Sequence, residues 1–145
     1  MRVLLQRVLE AAVKVDGKEI SQINRGFLAF VGIEEGDAKS QVQVAVEKIS
    51  KLRIFADEQG KSNLSISDIG GEILIISQFT LCANTKKGNR PSFTTAAPPD
   101  GANLLYEYFI ECCQGKFAKT AAGIFGADMK VSLINDGPYT IIMDF

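Results

Sequence analysis

The apolar residues of this chain fall into runs whose period changes along its length, and the changes predict the elements. Val3 to Val15 is rich in Val and Leu with few breakers, and Asp16-Gly17 before Lys18 to Ile23 is a hairpin signal, so this region predicts paired antiparallel strands. Gly26 to Ile33 (GFLAFVGI) is nearly all apolar and too short for an independent helix, which predicts a central strand covered on both faces. After Asp37, a candidate N-cap, Val42, Val46 (with Ala45), Ile49 and Leu52 recur at helical spacing and give one apolar stripe.

Asp57 to Gly60 and Gly70-Gly71 are turn-rich, with irregular structure expected between them. Glu72 to Ala83 reads as a second strong strand, apolar through Ile73-Leu74-Ile75-Ile76 and then interrupted by Ser77-Gln78. Asn84 to Pro99 is a loop longer than the usual span of about four to six residues. Asp100 to Gly115 returns to helical spacing through Leu104, Leu105, Tyr108, Phe109 and Cys112, with Gly115 as its stop. Met129, Val131 and Leu133 alternate with polar neighbours, Asn135-Asp136-Gly137-Pro138 predicts a turn, and Tyr139 to Phe145 a closing strand. No linker or repeat divides the chain. The expected architecture is α/β, with residues 1–145 as a single domain whose mostly antiparallel sheet curls towards a β-barrel, flanked by two helices.

Composition narrows the function classes. With 46% hydrophobic and 23% charged residues in 145, this is the composition of an ordinary globular protein. A net charge of −1 argues against a surface that coats nucleic acid along its whole extent, although a local basic patch is compatible with it. The absence of histidine excludes Ser-His-Asp and Cys-His catalysis, histidine zinc sites and histidine pH switching. Cys82 and the adjacent Cys112 and Cys113 match neither a CxxC metal pair nor an even disulfide framework, so reduced thiols in a cytoplasmic protein are expected. There is no Walker loop, GxGxxG, metal-ligand spacing or zinc-deaminase pattern, so neither cofactor nor metal is expected. No apolar run approaches the ~20 residues that span a bilayer, and Arg2 and Arg7 come too early for a signal peptide. The expectation is a cytoplasmic protein without a membrane.

Four clusters carry candidate chemistry. Ser77-Gln78-Phe79-Thr80-Leu81 places hydroxyl and amide groups at the end of an apolar strand, where they either satisfy a sheet edge or line a pocket. In the second case main-chain N–H groups and the Thr80 hydroxyl position a carbonyl substrate, since no histidine and no SxxK lysine is present to make a nucleophile. Asn135-Asp136-Gly137-Pro138-Tyr139-Thr140 is either a plain turn or a rigid main-chain probe with no side chain at the glycine, suited to reading shape and handedness. Lys86-Lys87-Gly88-Asn89-Arg90 is a solvated loop or a grip on a few phosphates of an RNA end. Phe125-Gly126-Ala127-Asp128-Met129 is core or a base-stacking pocket.

Taken in order, Gln6-Arg7-Val8, Leu52-Arg53-Ile54-Phe55, Gly71-Glu72-Ile73-Leu74, Ser77-Gln78-Phe79-Thr80-Leu81, Arg90-Pro91-Ser92-Phe93, Phe125-Gly126-Ala127-Asp128-Met129 and Asn135-Asp136-Gly137-Pro138 resemble the D-aminoacyl-tRNA deacylase (D-tyrosyl-tRNA deacylase) family over essentially the whole chain. The resemblance implies a homodimer that acts on the aminoacyl-tRNA acceptor end, hydrolysing esters of D-amino acids or glycine and sparing L-aminoacyl-tRNA. It implies that Gly137-Pro138 is cis and enters the other subunit's pocket, that Arg7 braces it, and that Ser77, Gln78, Phe79 and Thr80 wall the scissile ester. Phe125 and Met129 then lie near the terminal adenosine, and Lys86, Lys87 and Arg90 are the candidate tRNA grip. Within the family's proposal the tRNA 2′-hydroxyl assists water, while an older reading makes Thr80 the nucleophile. Two other classes stay open: a non-catalytic nucleic-acid or protein-binding module, and a general esterase using Ser77 or Thr80.

Overall fold

A computed structural model describes residues 1–145. β1 (Arg2–Val15) organises the sheet. One edge of it pairs antiparallel along its length with β8 (Met129–Asp144). The other edge pairs first with β3 (Gly26–Gly32) and then, from Ala11, with β2 (Lys18–Ile23), both antiparallel. β3 continues the sheet parallel to β6 (Glu72–Ser77), and β6 parallel to β7 (Lys119–Ala122). Parallel neighbours require crossovers, and the two helices supply them: α1 (Lys39–Lys51) between β3 and β6, α2 (Pro99–Cys113) between β6 and β7. A small ribbon pairs β4 (Phe55–Ala56) with β5 (Ser62–Leu64), and β5 lies in the segment expected to be irregular.

Both faces of the central strands are covered, which is why their sequences are nearly continuous apolar runs. Phe27, Ala29 and Val31 of β3 and Ile73 and Ile75 of β6 join the larger core with the inner faces of α1 and α2. Leu28, Leu74 and Ile76 point the opposite way into a smaller core with Val8, Val13 and Ile23. The sheet curls around this second core until β2 meets β7, where Ser21 Oγ donates to the Ala122 carbonyl and Lys119 Nζ to the Gln22 carbonyl, each at 2.7 Å. The nearly closed barrel and its flanking helices are therefore as the pattern predicts. No helix is long and apolar enough to cross a membrane.

Three local expectations are corrected. The strand expected over Glu72 to Ala83 ends at Ser77, because its partner β3 ends at Gly32; the last ladder bond is Gln78 N–H to the Val31 carbonyl at 2.8 Å, and Phe79–Cys82 then winds into a 3-10 turn. Gly32 lets that turn close down, since a Cβ there would stand 2.9 Å from Leu81 Cβ. Asp37 does not cap α1: Ala38 is the N-cap residue, and the Asp37 carboxylate accepts instead from the Glu34 amide and the terminal amine of Met1, both at 2.7 Å. Asn135 to Pro138 is not a hairpin turn but part of β8. Val8 faces Asn135 and Gln6 faces Thr140, so Asp136 to Tyr139 bulge out opposite Arg7 alone while the strand continues in one direction on both sides.

Candidate active site

The end of β6 opens onto a cavity of about 480 Å³. Ser77, Gln78 and Phe79 line it together with Phe125 and Met129, and Ala96, Ala97, Pro99 and Ala102 bring in the start of α2. Two clusters far apart in sequence are thus brought together. Thr80 lies beside the cavity rather than among the residues that line it, and its exposed Oγ1 accepts a hydrogen bond from Gln78 Nε2. The first N–H groups of a helical turn have no partner within the turn, and Phe79 and Thr80 are the first two residues of this one.

The far wall is held from below. Tyr106 of α2 is buried at 2% exposure, and its hydroxyl contacts the Ile75 carbonyl at 2.9 Å and the Gly123 carbonyl at 3.2 Å. Burial pushes its pKa up to about 12, so the group acts as a neutral donor. Gly123 also donates its N–H to the Ile75 carbonyl at 2.9 Å, fastening the chain that leads to Phe125 onto β6. A Cβ on Gly123 would lie 2.4 Å from Met129 Sδ, so the bare glycine is what lets Met129 settle over this wall. Tyr106 was hidden from sequence reading because its place on the apolar stripe of α2 signals core packing alone.

Titratable groups are scarce in the cavity. Asp128 is the sole carboxylate of its lining, and Lys130 Nζ holds it at 2.7 Å in an exposed ion pair. No lysine or arginine lines the cavity. Burial raises the pKa of the Cys82 and Cys113 thiols, which keeps them protonated and unreactive. A larger open groove of about 800 Å³ lies between α1 and α2, but its one acid, Glu47, is held by Lys51 at 2.6 Å and Lys116 at 2.8 Å as a solvated surface network.

The bulge in β8 is a second, separate cluster. Its Gly137–Pro138 bond is cis, both residues are exposed, and Gly137 has φ +124°. Arg7, only 12% exposed in its side chain, donates Nε to the Asp136 carbonyl at 3.1 Å, pairs with the Asp136 carboxylate at 3.1 Å and lies 4.8 Å from the Tyr139 ring centroid. Its Nη1 donates to the Ile54 carbonyl. Asn135 Nδ2 closes the base of the bulge by donating to the Arg7 and Tyr139 carbonyls, each at 2.9 Å. No residue of this cluster lines the cavity of the same chain.

Lys86, Lys87 and Arg90 sit on an exposed excursion closed by paired main-chain bonds between Asn84 and Ser92, at 2.7 and 3.0 Å, and none of the three forms an ion pair. Its root is tied to the cavity's surroundings: Thr95 Oγ1 donates to the Cys82 carbonyl at 3.2 Å and Ala97 N–H to the Ile33 carbonyl at 3.0 Å. The arrangement offers a mostly apolar cavity lined by Phe125 and Met129, the polar side chains of Ser77 and Gln78 at the end of β6, unpaired cations on the excursion rooted next to it, and no side chain suited to general base catalysis.

Known proteins match this chain over essentially its whole length. The chain is similar to the D-aminoacyl-tRNA deacylases of Lactobacillus gasseri (54% identity, 99% of both chains) and Geotalea daltonii (54% identity, 99% of this chain and 96% of that one). Among solved structures it resembles a c-Myc DNA unwinding element binding protein, with TM-score 0.94 and 40% identity over 100% of this chain and 99% of the other. A probable eukaryotic D-amino acid tRNA deacylase shares the fold at TM-score 0.86 and 18% identity over 99% of this chain and 98% of the other. The family described as D-Tyr-tRNA(Tyr) deacylase matches residues 4–144, and with these relatives it shows that the chain belongs to that deacylase family.

Proposed function

We propose that this chain, a hydrolase of aminoacyl-tRNA esters by its family, works as a single deacylase domain of residues 1–145 that removes D-amino acids and glycine from tRNA and spares L-aminoacyl-tRNA. The observation that carries the reading is the joining of Ser77, Gln78 and Phe79 to Phe125 and Met129 around one cavity with no unpaired base in it. The terminal adenosine lies between Phe125 and Met129, and the ester reaches the Ser77–Thr80 wall, where main-chain amides hold its carbonyl. Water attacks the carbonyl, the bond to the ribose oxygen breaks, and a free amino acid and an intact tRNA 3′ end result. The ribose 2′-hydroxyl assists the water, which suits a protein without histidine.

The chirality filter is Gly137-Pro138, braced by Arg7 and acting in the cavity of a second copy. Its separation from the cavity of its own chain supports action in trans, and so does the apolar character of the outer face of β1 and β8, where Leu9, Ile134 and Ile142 are exposed. The working form is therefore a homodimer in the cytoplasm. Glycine is cleaved because a filter that excludes L side chains has nothing to exclude in it.

Paired hydrolysis of D-tyrosyl- and L-tyrosyl-tRNA tests the reading: rapid loss of the D ester alone is expected, and turnover of both or neither overturns it. A D-tyrosyl-tRNA ending in 2′-deoxyadenosine is expected to resist, and normal cleavage of it removes the 2′-hydroxyl step. The second reading, a nucleic-acid binding module without turnover, draws on the unpaired cations of the 84–92 excursion and on the described DNA-element binding of the 40% identical relative. Tight single-turnover binding of D-tyrosyl-tRNA with no ester loss would favour it.

A further inference from the structure

Phe79 is an odd residue for its position. It borders the cavity, yet 58% of it is exposed, in a turn whose other large apolar side chain, Leu81, is half-buried. Phe93, half-buried at the root of the basic excursion, meets it edge to face, with ring centroids 5.2 Å apart and planes at 62°. The aromatic pair therefore links the cavity's edge to the excursion that carries Lys86, Lys87 and Arg90. An exposed ring held by a second ring, with unpaired cations on the adjoining segment, is the combination that binds single-stranded nucleic acid: rings stack on bases and cations follow the phosphates.

We propose that Phe79, steadied by Phe93, is a stacking platform for the unpaired nucleotide that precedes the terminal adenosine, with Lys86, Lys87 and Arg90 taking the phosphates upstream of it. The proposal rests on the deacylase reading and adds a second nucleotide subsite to it. When the terminal adenosine occupies the slot between Phe125 and Met129, the preceding nucleotide must leave by the mouth, and Phe79 offers it a face there. Lys130 beside the cavity and Arg2 beside the turn are already engaged, by Asp128 and Asp144. The phosphate path therefore favours the side of the excursion.

The test compares two esters of D-tyrosine, one on adenosine alone and one on the trinucleotide CCA, in wild type, Phe79→Leu and Phe93→Leu. Stacking of one base is expected to raise kcat/KM for the trinucleotide over the mononucleotide by about tenfold, within the range of about 5- to 150-fold that single aromatic platforms give. Phe79→Leu should remove this stacking share of the ratio, about tenfold, leaving what the phosphate contacts give, and Phe93→Leu should lower it part of the way. A trinucleotide abasic at the penultimate position should be cleaved by wild type about tenfold less efficiently than the intact one, which tests the platform without any substitution in the protein. An unchanged ratio in Phe79→Leu, or an abasic trinucleotide as good as the intact one, overturns the platform. Equal cleavage of both intact esters by wild type overturns it while leaving the deacylase reading in place; cleavage of neither removes both.

Discussion

The cavity wall at the end of β6 and the bulge in β8 are both interruptions of a strand ladder, and they are held in opposite ways. The wall is backed by packed groups: buried Tyr106 beneath Ile75 and Gly123, and half-buried Met129 over Gly123. The bulge has exposed glycine and proline at its tip, and its bracing comes from Arg7 with Asn135 closing its base. A wall fixed by packing can lose one polar contact and keep its shape. A bulge braced mainly by one guanidinium has little reserve, so the same size of perturbation should cost more function there and less stability.

The largest effect is expected at Gly137. A methyl group there would lie 2.8 Å from Arg7 Nη2, on a backbone at φ +124° that L side chains rarely adopt. Because the bulge is exposed, the strain is relieved by moving it away from Arg7 rather than by unfolding the sheet. Gly137→Ala is expected to lower kcat/KM on D-tyrosyl-tRNA by about 100-fold with a thermal midpoint close to wild type. A folded variant with full activity would break the contrast between the two regions.

Tyr106→Phe should show the converse. It removes the hydroxyl that both carbonyls share, and the expected cost is about 1–2 kcal/mol of stability with activity changed less than about tenfold. The pH dependence gives the sign. Folding raises the Tyr106 pKa from 10.0 to about 12, so the folded state binds more protons in that window and its advantage is full below pH 10.0 and lost as pH rises through about 12. In urea unfolding, wild type should exceed the variant at pH 8 and lose that margin towards pH 12. A margin independent of pH would mean that the hydroxyl contributes by shape alone.

The same contrast explains what could be read from the residues in advance. β3 was legible because burial on both faces demands an apolar run, and Gly26 to Gly32 supplies one. The end of β6 was not, because what stops it is the end of its neighbour at Gly32, a fact about pairing across the sheet. Asp136-Gly137-Pro138 has the composition of a turn, and it becomes a bulge only because β1 continues to pair on both sides of Arg7. β7 escaped notice since Lys119-Thr120-Ala121-Ala122 has little strand character and is held by its ladder to β6. Asp37 has a cap's chemistry, but the Met1 amine and the Glu34 amide compete for it more closely. Of the site, the polar interruption after Ile76 was visible as a motif; its meeting with Phe125 and Met129 depends on the fold.

The smallest effect is expected at Thr80, and it bears on the chemistry of the wall. A nucleophilic hydroxyl needs a group to take its proton, and the neighbour of Thr80 Oγ1 is the Gln78 side-chain amide, which donates to it and cannot accept in that contact. The chain has no histidine, and the one carboxylate lining the cavity is paired with Lys130. Thr80→Ala therefore removes a hydrogen-bond acceptor that steadies Gln78, and leaves the main-chain amides of the turn in place. Single-turnover hydrolysis of D-tyrosyl-tRNA should slow by less than about tenfold, the cost of one neutral hydrogen bond. A loss of several thousandfold in a variant with wild-type melting would instead make Thr80 the nucleophile, and the wall would then be a reactive surface rather than a positioning one.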